Sequence, residues 1–430
     1  MLSRLPEENI SAVFQRALNE GIVNKDVDTA VIFYDLSHIK ERVDDLINLF
    51  PKTTLHAIAI KANPLIKILK LFKKWGAGLE AATLPELYMA EKTGLPPDKI
   101  VYDSPVKTSS DLEYALRLGV HINADSLMEL KRIDESLKKT ESNSTIGIRI
   151  NPQVGTGKIS STSVAGEYSK FGVPLNEYRE EIVDSFLKHE WLSGIHLHVG
   201  SQGCEVELLL SGAEKVLSLT NEINKQLKKT NSKRRINIFD IGGGLPVSYH
   251  RNIEPVPMSQ YRDELKSRFG ELFTDKFKLI TEFGRYIHAN AGWTASRVEY
   301  VKRDRNINTL MIHVGADLFI RKCLNPDDWH HVISIFDYKG ELKTGNDSKR
   351  YNIAGPLCFA GDFIARGIEL PVVEEGDYAI IHNTGAYTLS IWSRYNSRQI
   401  PKVIGYYNDG EKFEILKERE RPEDLYEFWG

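Results

Sequence analysis

The feature that most constrains the fold is a repeated alternation of strand and helix between residues 55 and 284. Short apolar runs alternate with longer stretches that carry apolar residues every three or four positions, and several of these stretches end in glycine. The predicted strands are 55–60, 78–82, 100–103, 121–124, 146–150, 194–199, 237–241 and 279–283. Eight such units predict a closed parallel (β/α)8 barrel; an open doubly wound sheet uses similar units, but no point of strand-order reversal is evident.

The pattern changes after about residue 290. Short β-like runs are separated there by turn sequences such as "NPDD", "TGNDS" and "EEGD". The sequence therefore predicts an α/β fold with a barrel domain over 31–288 and a mainly antiparallel β domain over 289–430. We expect the N-terminal segment 1–30 to join the β domain.

Composition excludes several classes of function. A net charge of −3 provides no basic field for nucleic acid. No apolar run approaches the ~20 residues of a membrane-spanning helix, and the N-terminus is too polar for a secretory signal. Cys204, Cys323 and Cys358 are widely spaced, form no metal-ligand pair and fit a reducing compartment. We expect a cytoplasmic protein with no nucleic-acid or membrane partner and no metal.

Polar residues and glycines follow five of the predicted strands at their carboxyl ends, where barrel active sites lie. They are Lys61, Glu80, His198, Ser201, Gly242, Gly243, Gly244, Glu282, Gly284 and Arg285. Each has an ordinary structural explanation when taken alone: a solvated lysine, a core histidine, a tight glycine turn or an ion pair. Together they match the requirements of pyridoxal 5'-phosphate.

Each group has a distinct role in that interpretation. The amine of Lys61 would form a Schiff base with the cofactor aldehyde. The glycine loop and Ser201 would hold the phosphate through closely approaching N–H groups. The ring of His198 would stack on the pyridine ring, and Glu282 would pair with the ring nitrogen and keep it protonated.

A set of motifs along the whole chain resembles a known family. The motifs are "AIKANP", "SKFG", "HLHVGSQ", "FDIGGGLP", "EFGRY", "GPLCFAGD", "GAYTLS" and "YNSR". They resemble the fold-type III pyridoxal-phosphate amino-acid decarboxylases, the alanine-racemase-like group that contains the diaminopimelate and ornithine decarboxylases. "HVGSQ" and "YNSR" are more similar to the diaminopimelate branch. The resemblance implies decarboxylation of an amino acid, with diaminopimelate, converted to lysine and CO2, as the first candidate.

The resemblance also implies roles for individual residues. Lys61, His198 and Cys358 would be catalytic, with Cys358 reaching in from a second subunit as proton donor. The residues around the cofactor would be Lys61, Glu80, His198, Ser201, Gly242, Gly243, Gly244, Glu282, Phe283, Gly284, Arg285 and Tyr387. Arg285, Arg321 and Tyr387 would contact the substrate. Such enzymes are homodimers with two shared active sites, and Lys170 and Asp362 match a pair that crosses the interface.

Departures from the family pattern concern the far end of the substrate. Phe359 stands where the family has an acid that meets the distal ammonium group. The segment after Arg321 lacks the family's tyrosine; Asn325 is nearest to that position, and Asp327 and Asp328 are new acids. Another basic or distally modified amino acid is therefore the alternative substrate.

A fold-type III racemase is disfavoured because Glu282 stands where racemases place an arginine. A non-catalytic relative is disfavoured because the site residues are retained.

Overall fold

The computed structural model describes residues 5–230, 233–345 and 347–430. The described chain forms two compact units. One, the β unit, holds the residues up to Glu41 together with Ser248–Glu254 and His288–Gly430; the other, the barrel unit, holds Arg42–Val247 and Pro255–Ile287. Residues 1–4 of the predicted N-terminal segment lie outside the described residues.

The secondary structure follows the predicted alternation. The strands are β1 Ala30–Asp35, β2 Leu55–Ala59, β3 Gly78–Ala81, β4 Ile100–Asp103, β5 His121–Ala124, β6 Ile146–Asn151, β7 Val173–Pro174, β8 Leu192–His196, β9 Ile238–Asp240, β10 Lys278–Thr281, β11 Gly292–Lys302, β12 Asn308–Ile312, β13 Ile333–Phe336, β14 Ser348–Ala354, β15 Phe363–Pro371, β16 Tyr378–His382, β17 Lys402–Tyr407 and β18 Lys412–Lys417. The α-helices are α1 Glu7–Asn19, α2 Leu36–Leu49, α3 Ile66–Trp75, α4 Leu84–Lys92, α5 Ser109–Leu118, α6 Leu127–Leu137, α7 Arg179–Lys188, α8 Val206–Lys229, α9 Met258–Arg268, α10 Gly284–His288, α11 Ala316–Leu324 and α12 Pro422–Trp429.

Eight parallel strands of the barrel unit form a closed sheet. Their order is β5-β4-β3-β2-β10-β9-β8-β6, and pairing of β5 with β6 closes the ring. The predicted (β/α)8 barrel is thus confirmed. Local signals define its helices as well: Thr108 and Asp111 form a capping box at the start of α5, and Gly119, with φ of +83°, ends it. Several strand ends differ from the prediction by one or two residues, and the largest difference is in β8, which ends at His196 and leaves His198 beyond the strand.

The barrel interior changes from apolar to charged along the strand direction. Leu55, Ala57, Val101, Ile238 and Ile280 form a cluster of buried apolar residues drawn from β2, β4, β9 and β10. Side chains two positions apart on a strand point to the same face. The next interior positions are therefore Asp103 on β4, Asp240 on β9 and Glu282 just after β10, all three buried. The candidate site lies on this charged layer.

The β unit is built around the long strand β11. Its sheet runs β15-β14-β12-β11-β1-β17-β18, with β16 also paired to β11 and β13 paired to β16. Packing in this unit centres on aromatic residues, and the rings of Phe33 and Trp293 stack with centroids 3.9 Å apart.

The predicted barrel boundary at residue 31 is wrong. Strand β1 pairs antiparallel with β11 and parallel with β17, so it belongs to the β unit, and the barrel unit begins at Arg42. The fully buried run of β1 resembles a barrel strand locally, but its partners lie far away in the sequence. Helix α1 also packs in this unit, because Val13 and Phe14 belong to the same buried cluster as Trp293. In the described residues, we find no helix with the length and apolarity needed to span a bilayer.

Candidate active site

Lys61 and Glu80 form an ion pair at the mouth of the barrel. Lys61 lies in a short 3-10 turn directly after β2, and Glu80 lies on the adjacent strand β3. The Glu80 carboxylate accepts a hydrogen bond from the Lys61 ammonium group. Glu80 is completely buried, whereas the Lys61 side chain is 40% exposed. Burial raises the pKa of Glu80 to about 7 against the opposing charge of Lys61. The amine is thus held in place and remains accessible from the mouth.

His198 lies against the glycine turn that follows β9. The backbone N–H of Gly243 donates to Nδ1 of His198 at 3.1 Å, so the ring proton of the neutral imidazole lies on Nε2. Burial lowers the pKa of His198 well below 6.5, and nearby positive charges, including Lys61, lower it further. A side chain at Gly243 would place its Cβ 2.5 Å from the carbonyl oxygen of Glu282, and Gly244 adopts φ of +114°. Both positions therefore require glycine.

Glu282 lies after β10 and is buried beside a second acid, Asp240. Burial raises the pKa of Glu282 well above its ordinary value, and the charge of Asp240 adds to this effect. Among the described residues, no donor contacts Oε1 of Glu282. A buried carboxyl oxygen of this kind needs a partner.

Ser201 and Arg285 also lie at this end of the barrel unit. Arg285, in the first turn of α10, is buried, and its Nε donates to Oγ of Ser201 at 3.0 Å. The loop predicted over 152–170 supports the turn that carries Ser201, since the Ser201 N–H donates to the carbonyl of Thr162. The side chain of Phe283 is buried against Phe50 and Tyr261, so Phe283 has only its backbone to offer a ligand.

The barrel-unit residues fit pyridoxal phosphate. They combine an accessible amine at Lys61, a neutral imidazole at His198, a glycine turn and a buried carboxyl group at Glu282 that lacks a partner on one oxygen. The charge of Lys61 acts on both His198 and Glu282, so the three groups lie near one another. Groups of these kinds suit the aldehyde, the ring face and the ring nitrogen of this cofactor.

Within the β unit, the structure places Arg321 beside Tyr387. Arg321 Nη2 donates to the carbonyl of Tyr387, and the two residues line a small pocket together with Tyr249 and Trp329. Tyr387 adopts φ of +55°, an uncommon conformation for a bulky residue that tends to occur at functional sites. The predicted substrate residues Asn325 and Asp327 are exposed in the turn after α11.

Cys358 and Phe359 lie in a different loop of the β unit. Cys358 is exposed, and Phe359 is 37% exposed. The backbone of Cys358 is held by the "YNSR" segment: its N–H donates to Oδ1 of Asn396 at 2.8 Å, and its carbonyl accepts from the hydroxyl of Tyr395 at 3.0 Å. Two hydrogen bonds therefore hold the backbone at Cys358, while its side chain is exposed.

The two residues predicted at a dimer interface differ in exposure. Lys170 is exposed in the barrel unit. Asp362 is buried in the β unit, where its Oδ2 accepts from the N–H of Leu357 at 2.7 Å. The predicted contact between these residues in two copies of the chain stays a prediction.

Sequence reasoning missed several residues of the site. His196 is the first residue of the motif "HLHVGSQ", two positions before His198, and its ring is near both Asp103 and Glu282. Period-two alternation was the available signal for Asp103 and Asp240, because each lies two positions after a buried apolar residue of its strand, Val101 and Ile238. Trp329 was missed for another reason. Its ring contacts Arg321 only because the chain turns back after α11, and no local pattern predicts that contact.

The fold and site geometry define a class of protein, and comparison with known families agrees with it. The family of pyridoxal-dependent decarboxylases, through its pyridoxal binding domain, matches residues 36–289, which is more than half of the chain. The chain belongs to this family and is a pyridoxal-phosphate-dependent decarboxylase.

Among its relatives are several diaminopimelate decarboxylases. The one from Aquifex aeolicus (strain VF5) is 31% identical over 415 residues, covering 95% of this chain and 94% of its own. That of Methanothermobacter thermautotrophicus is 30% identical and covers 85% of this chain and 83% of its own. The crystal structure of the Helicobacter pylori diaminopimelate decarboxylase complexed with L-lysine superposes with a TM-score of 0.80 at 29% identity, covering 93% of this chain and 96% of that one.

Proposed function

We propose that this chain decarboxylates diaminopimelate to lysine and CO2. The observation that carries the proposal is end-to-end similarity to diaminopimelate decarboxylases, at 31% identity over 95% of the chain, combined with a retained cofactor site. The relative crystallised with L-lysine holds the expected product of such a reaction. Retention of the accessible amine at Lys61 and the buried acid at Glu282 supports a catalytic protein over a regulatory one.

Each barrel-unit residue has a task in this proposal. Lys61 would hold the cofactor aldehyde, and His198 would cover one face of the ring. Gly244, Ser201 and the backbone from Glu282 to Arg285 would bind the phosphate, with Tyr387 as a further contact. The amides of Gly242 and Gly243 already donate to Asp240 and His198, so they would shape the turn. When bound, pyridoxal phosphate supplies an electron sink for the pair released by breaking the Cα–carboxylate bond.

Other residues would hold the substrate and move protons. Arg285 and Arg321 would hold substrate carboxylates through guanidinium N–H groups, whose planar geometry suits such pairs. Glu282, as a carboxylate, would hold the proton on the ring nitrogen and so favour electron acceptance. Cys358 would return a proton to the substrate Cα. The exposed position of Cys358 supports a role in the site of a second copy of the chain, and we propose a homodimer with two shared sites that acts in the cytoplasm.

A decarboxylation screen tests the substrate. The protein, supplied with pyridoxal phosphate, is incubated with diaminopimelate, lysine, ornithine, arginine and acylated or carboxylated derivatives, and CO2 release is measured for each. The expected result is the highest kcat/KM with diaminopimelate. Loss of optical rotation from a single enantiomer without CO2 release would instead indicate a racemase.

One observation favours a second substrate class. Phe359 cannot neutralise a distal ammonium group; it offers at most a cation–π contact worth about 0.5–2 kcal/mol. Asp327 and Asp328 are exposed acids in the turn after α11. A basic or distally modified amino acid other than diaminopimelate is therefore the second candidate, and the same screen distinguishes the two.

A further inference from the structure

A buried histidine outside the proposed mechanism, His196, lies between two acids of the charged layer. It is the last residue of β8 and has no exposed surface. Its Nδ1 is 3.6 Å from Oδ1 of Asp103, and its Nε2 is 3.7 Å from Oε2 of Glu282. Each separation is about 0.7 Å longer than an ordinary N–H···O hydrogen bond. Within the described residues, neither ring nitrogen has a hydrogen-bond partner.

The two acids beside His196 differ in their preferred protonation state. Burial raises the pKa of Asp103, but the surrounding positive charges, Arg149 among them, outweigh burial and hold the pKa below its usual range. Arg149 Nη1 donates to Oδ2 of Asp103 at 3.1 Å. Among the described residues, no lysine or arginine forms an ion pair with Glu282, and burial raises its pKa well above the ordinary value. The imidazole therefore lies between an acid that keeps its charge and an acid that keeps its proton.

Charged and titratable groups face His196 from the surrounding strands. They are Arg149 on β6, Asp240 on β9, Asp103 on β4, His121 on β5, Lys61 after β2 and Glu282 after β10. Burial lowers the pKa of His196 to about 3, opposed by Asp103 and assisted by Arg149, His121 and Lys61. The ring is therefore neutral in the protein without cofactor. With its N–H directed to Asp103, the lone pair on Nε2 faces Glu282 and is satisfied only if Glu282 carries a proton.

We propose that His196 is a positioning residue that takes the proton of Glu282 when a protonated pyridine ring enters the pocket. The O–H bond at Oε2 of Glu282 breaks, its electron pair stays on the carboxylate, and an N–H bond forms at Nε2 of His196. The imidazolium then lies between two carboxylates, which stabilise it. Glu282 becomes the anion that the ring N–H needs. This inference rests on the proposed placement of pyridoxal phosphate in the barrel unit.

The test follows the ring nitrogen of the cofactor directly. Wild type, His196→Gln and the control His56→Gln are loaded with pyridoxal phosphate that carries 15N in the ring, and the nitrogen chemical shift is recorded from about pH 6 to about pH 9. His56 is a matched control because it is also a buried barrel histidine, bonded to Oγ1 of Thr281 and packed on Phe50. The control variant loses a buried imidazole that does not contact Glu282, so it shows the effect of losing such a ring alone.

In His196→Gln, the ring nitrogen is expected to lose its proton at a pH about one unit lower than in wild type, which is a tenfold change in the proton equilibrium. The kcat should fall by about tenfold at neutral pH, and KM should stay unchanged, since the substrate contacts remain. His56→Gln should match wild type in the nitrogen titration. An unchanged titration in His196→Gln would overturn the proposal and leave Asp240 as the group that takes the proton.

A second variant keeps the test decisive if His196→Gln does not fold. Asp103→Asn preserves the shape of the side chain and removes the charge that stabilises the imidazolium. It should shift the nitrogen titration in the same direction, and an unchanged titration in Asp103→Asn would contradict the inference. If wild type shows no visible absorbance band after addition of pyridoxal phosphate, the proposed function fails and the inference fails with it. If the band is present but the ring nitrogen titrates in the variants as it does in wild type, the inference is rejected and the proposed function is not affected.

Discussion

The guanidinium carbon of Arg321 lies 4.0 Å from the centre of the Trp329 ring and 5.4 Å from the centre of the Tyr387 ring. Trp329 is buried, so the contact is shielded from water. Arg321 also donates through Nη2 to the carbonyl of Tyr387. These contacts hold the guanidinium in one orientation.

Replacing Trp329 with leucine should therefore weaken substrate binding more than turnover. Loss of a cation–π contact worth about 0.5–2 kcal/mol predicts a rise in KM of about 2- to 30-fold with a small change in kcat. Steady-state kinetics with the best substrate of the screen measure both. Trp329→Phe is the matched control, since it keeps an aromatic face and should retain most of the affinity. Equal KM values for Trp329→Leu and wild type would show that Trp329 does not position Arg321 for substrate binding.

Lys61→Ala should abolish decarboxylation. The variant lacks the amine that attaches the cofactor aldehyde, so CO2 release should fall by at least about 10³-fold, and the visible band of the bound cofactor should disappear. Lys70→Ala is the control, because Lys70 is exposed on the following helix, α3. Wild-type CO2 release from Lys61→Ala would refute the assignment of the site.

Much of the barrel could be predicted from the sequence because its strands are buried on both faces. Such strands give short continuous apolar runs, and their carboxyl ends meet at one mouth. The strand order and the meeting of carboxyl ends at one mouth are enough to predict that Lys61, Glu80 and Glu282 lie together. The family resemblance then added Cys358 and Arg321, for which local pattern gives no reason.

What could not be predicted depends on contacts between residues distant in sequence. The run "AVIFYD" of β1 is fully buried like a barrel strand, and only its pairing with β11 and β17 assigns it to the β unit. His196 looks like an ordinary core histidine until the barrel closes and brings Asp103 and Glu282 to its two ring nitrogens. Burial and pairing of this kind follow from the tertiary fold, which hydrophobic periodicity does not encode.

The stability of the protein without cofactor should decrease as the pH rises through the range in which Asp240 titrates. Burial raises the pKa of this completely buried carboxyl group from 3.8 to about 7. Its contribution to stability is present below the unfolded value of 3.8 and is lost as the pH rises through 7, because the folded state binds the proton more tightly.

Asp240→Asn removes that titration. The variant should be more stable than wild type at about pH 8, by about 1–2 kcal/mol, and should lose less stability between about pH 4 and pH 7. Chemical unfolding at several pH values in this range gives the change of the free energy of unfolding with pH. The control variant Asp98→Asn, at an exposed position, should show the same pH dependence as wild type. If the free energy of unfolding of Asp240→Asn depends on pH as it does in wild type, the carboxyl group of Asp240 ionises in the folded protein as it does in the unfolded chain.

Phe359→Glu should raise kcat/KM for diaminopimelate. If the distal ammonium group of the substrate reaches this position, a carboxylate there adds a charge-assisted hydrogen bond worth about 1.5–3 kcal/mol, or a gain of about 10- to 100-fold. Phe359→Gln separates charge from the loss of the ring, because it has nearly the length of glutamate without the charge. A gain shared by both variants would point to the size of the side chain. If kcat/KM for diaminopimelate rises in neither variant, we expect residues 325–331 to determine the substrate specificity instead.

Mixing one slow and one inactive variant should raise activity if the sites are shared between two copies of the chain. Cys358→Ala should slow product formation while leaving cofactor uptake normal, and Lys61→Ala should be inactive. In a mixed dimer, one site would contain Lys61 from one copy and Cys358 from the other, both intact. Random exchange makes about half of the dimers mixed, each with one intact site, so about a quarter of wild-type activity should return.

A mixture of Lys61→Ala with Glu282→Ala is the control and should stay inactive, because both residues lie in the barrel unit and every site would keep one defect. Failure of the first mixture to recover, with exchange verified by size or mass, would show that each site is built from a single copy.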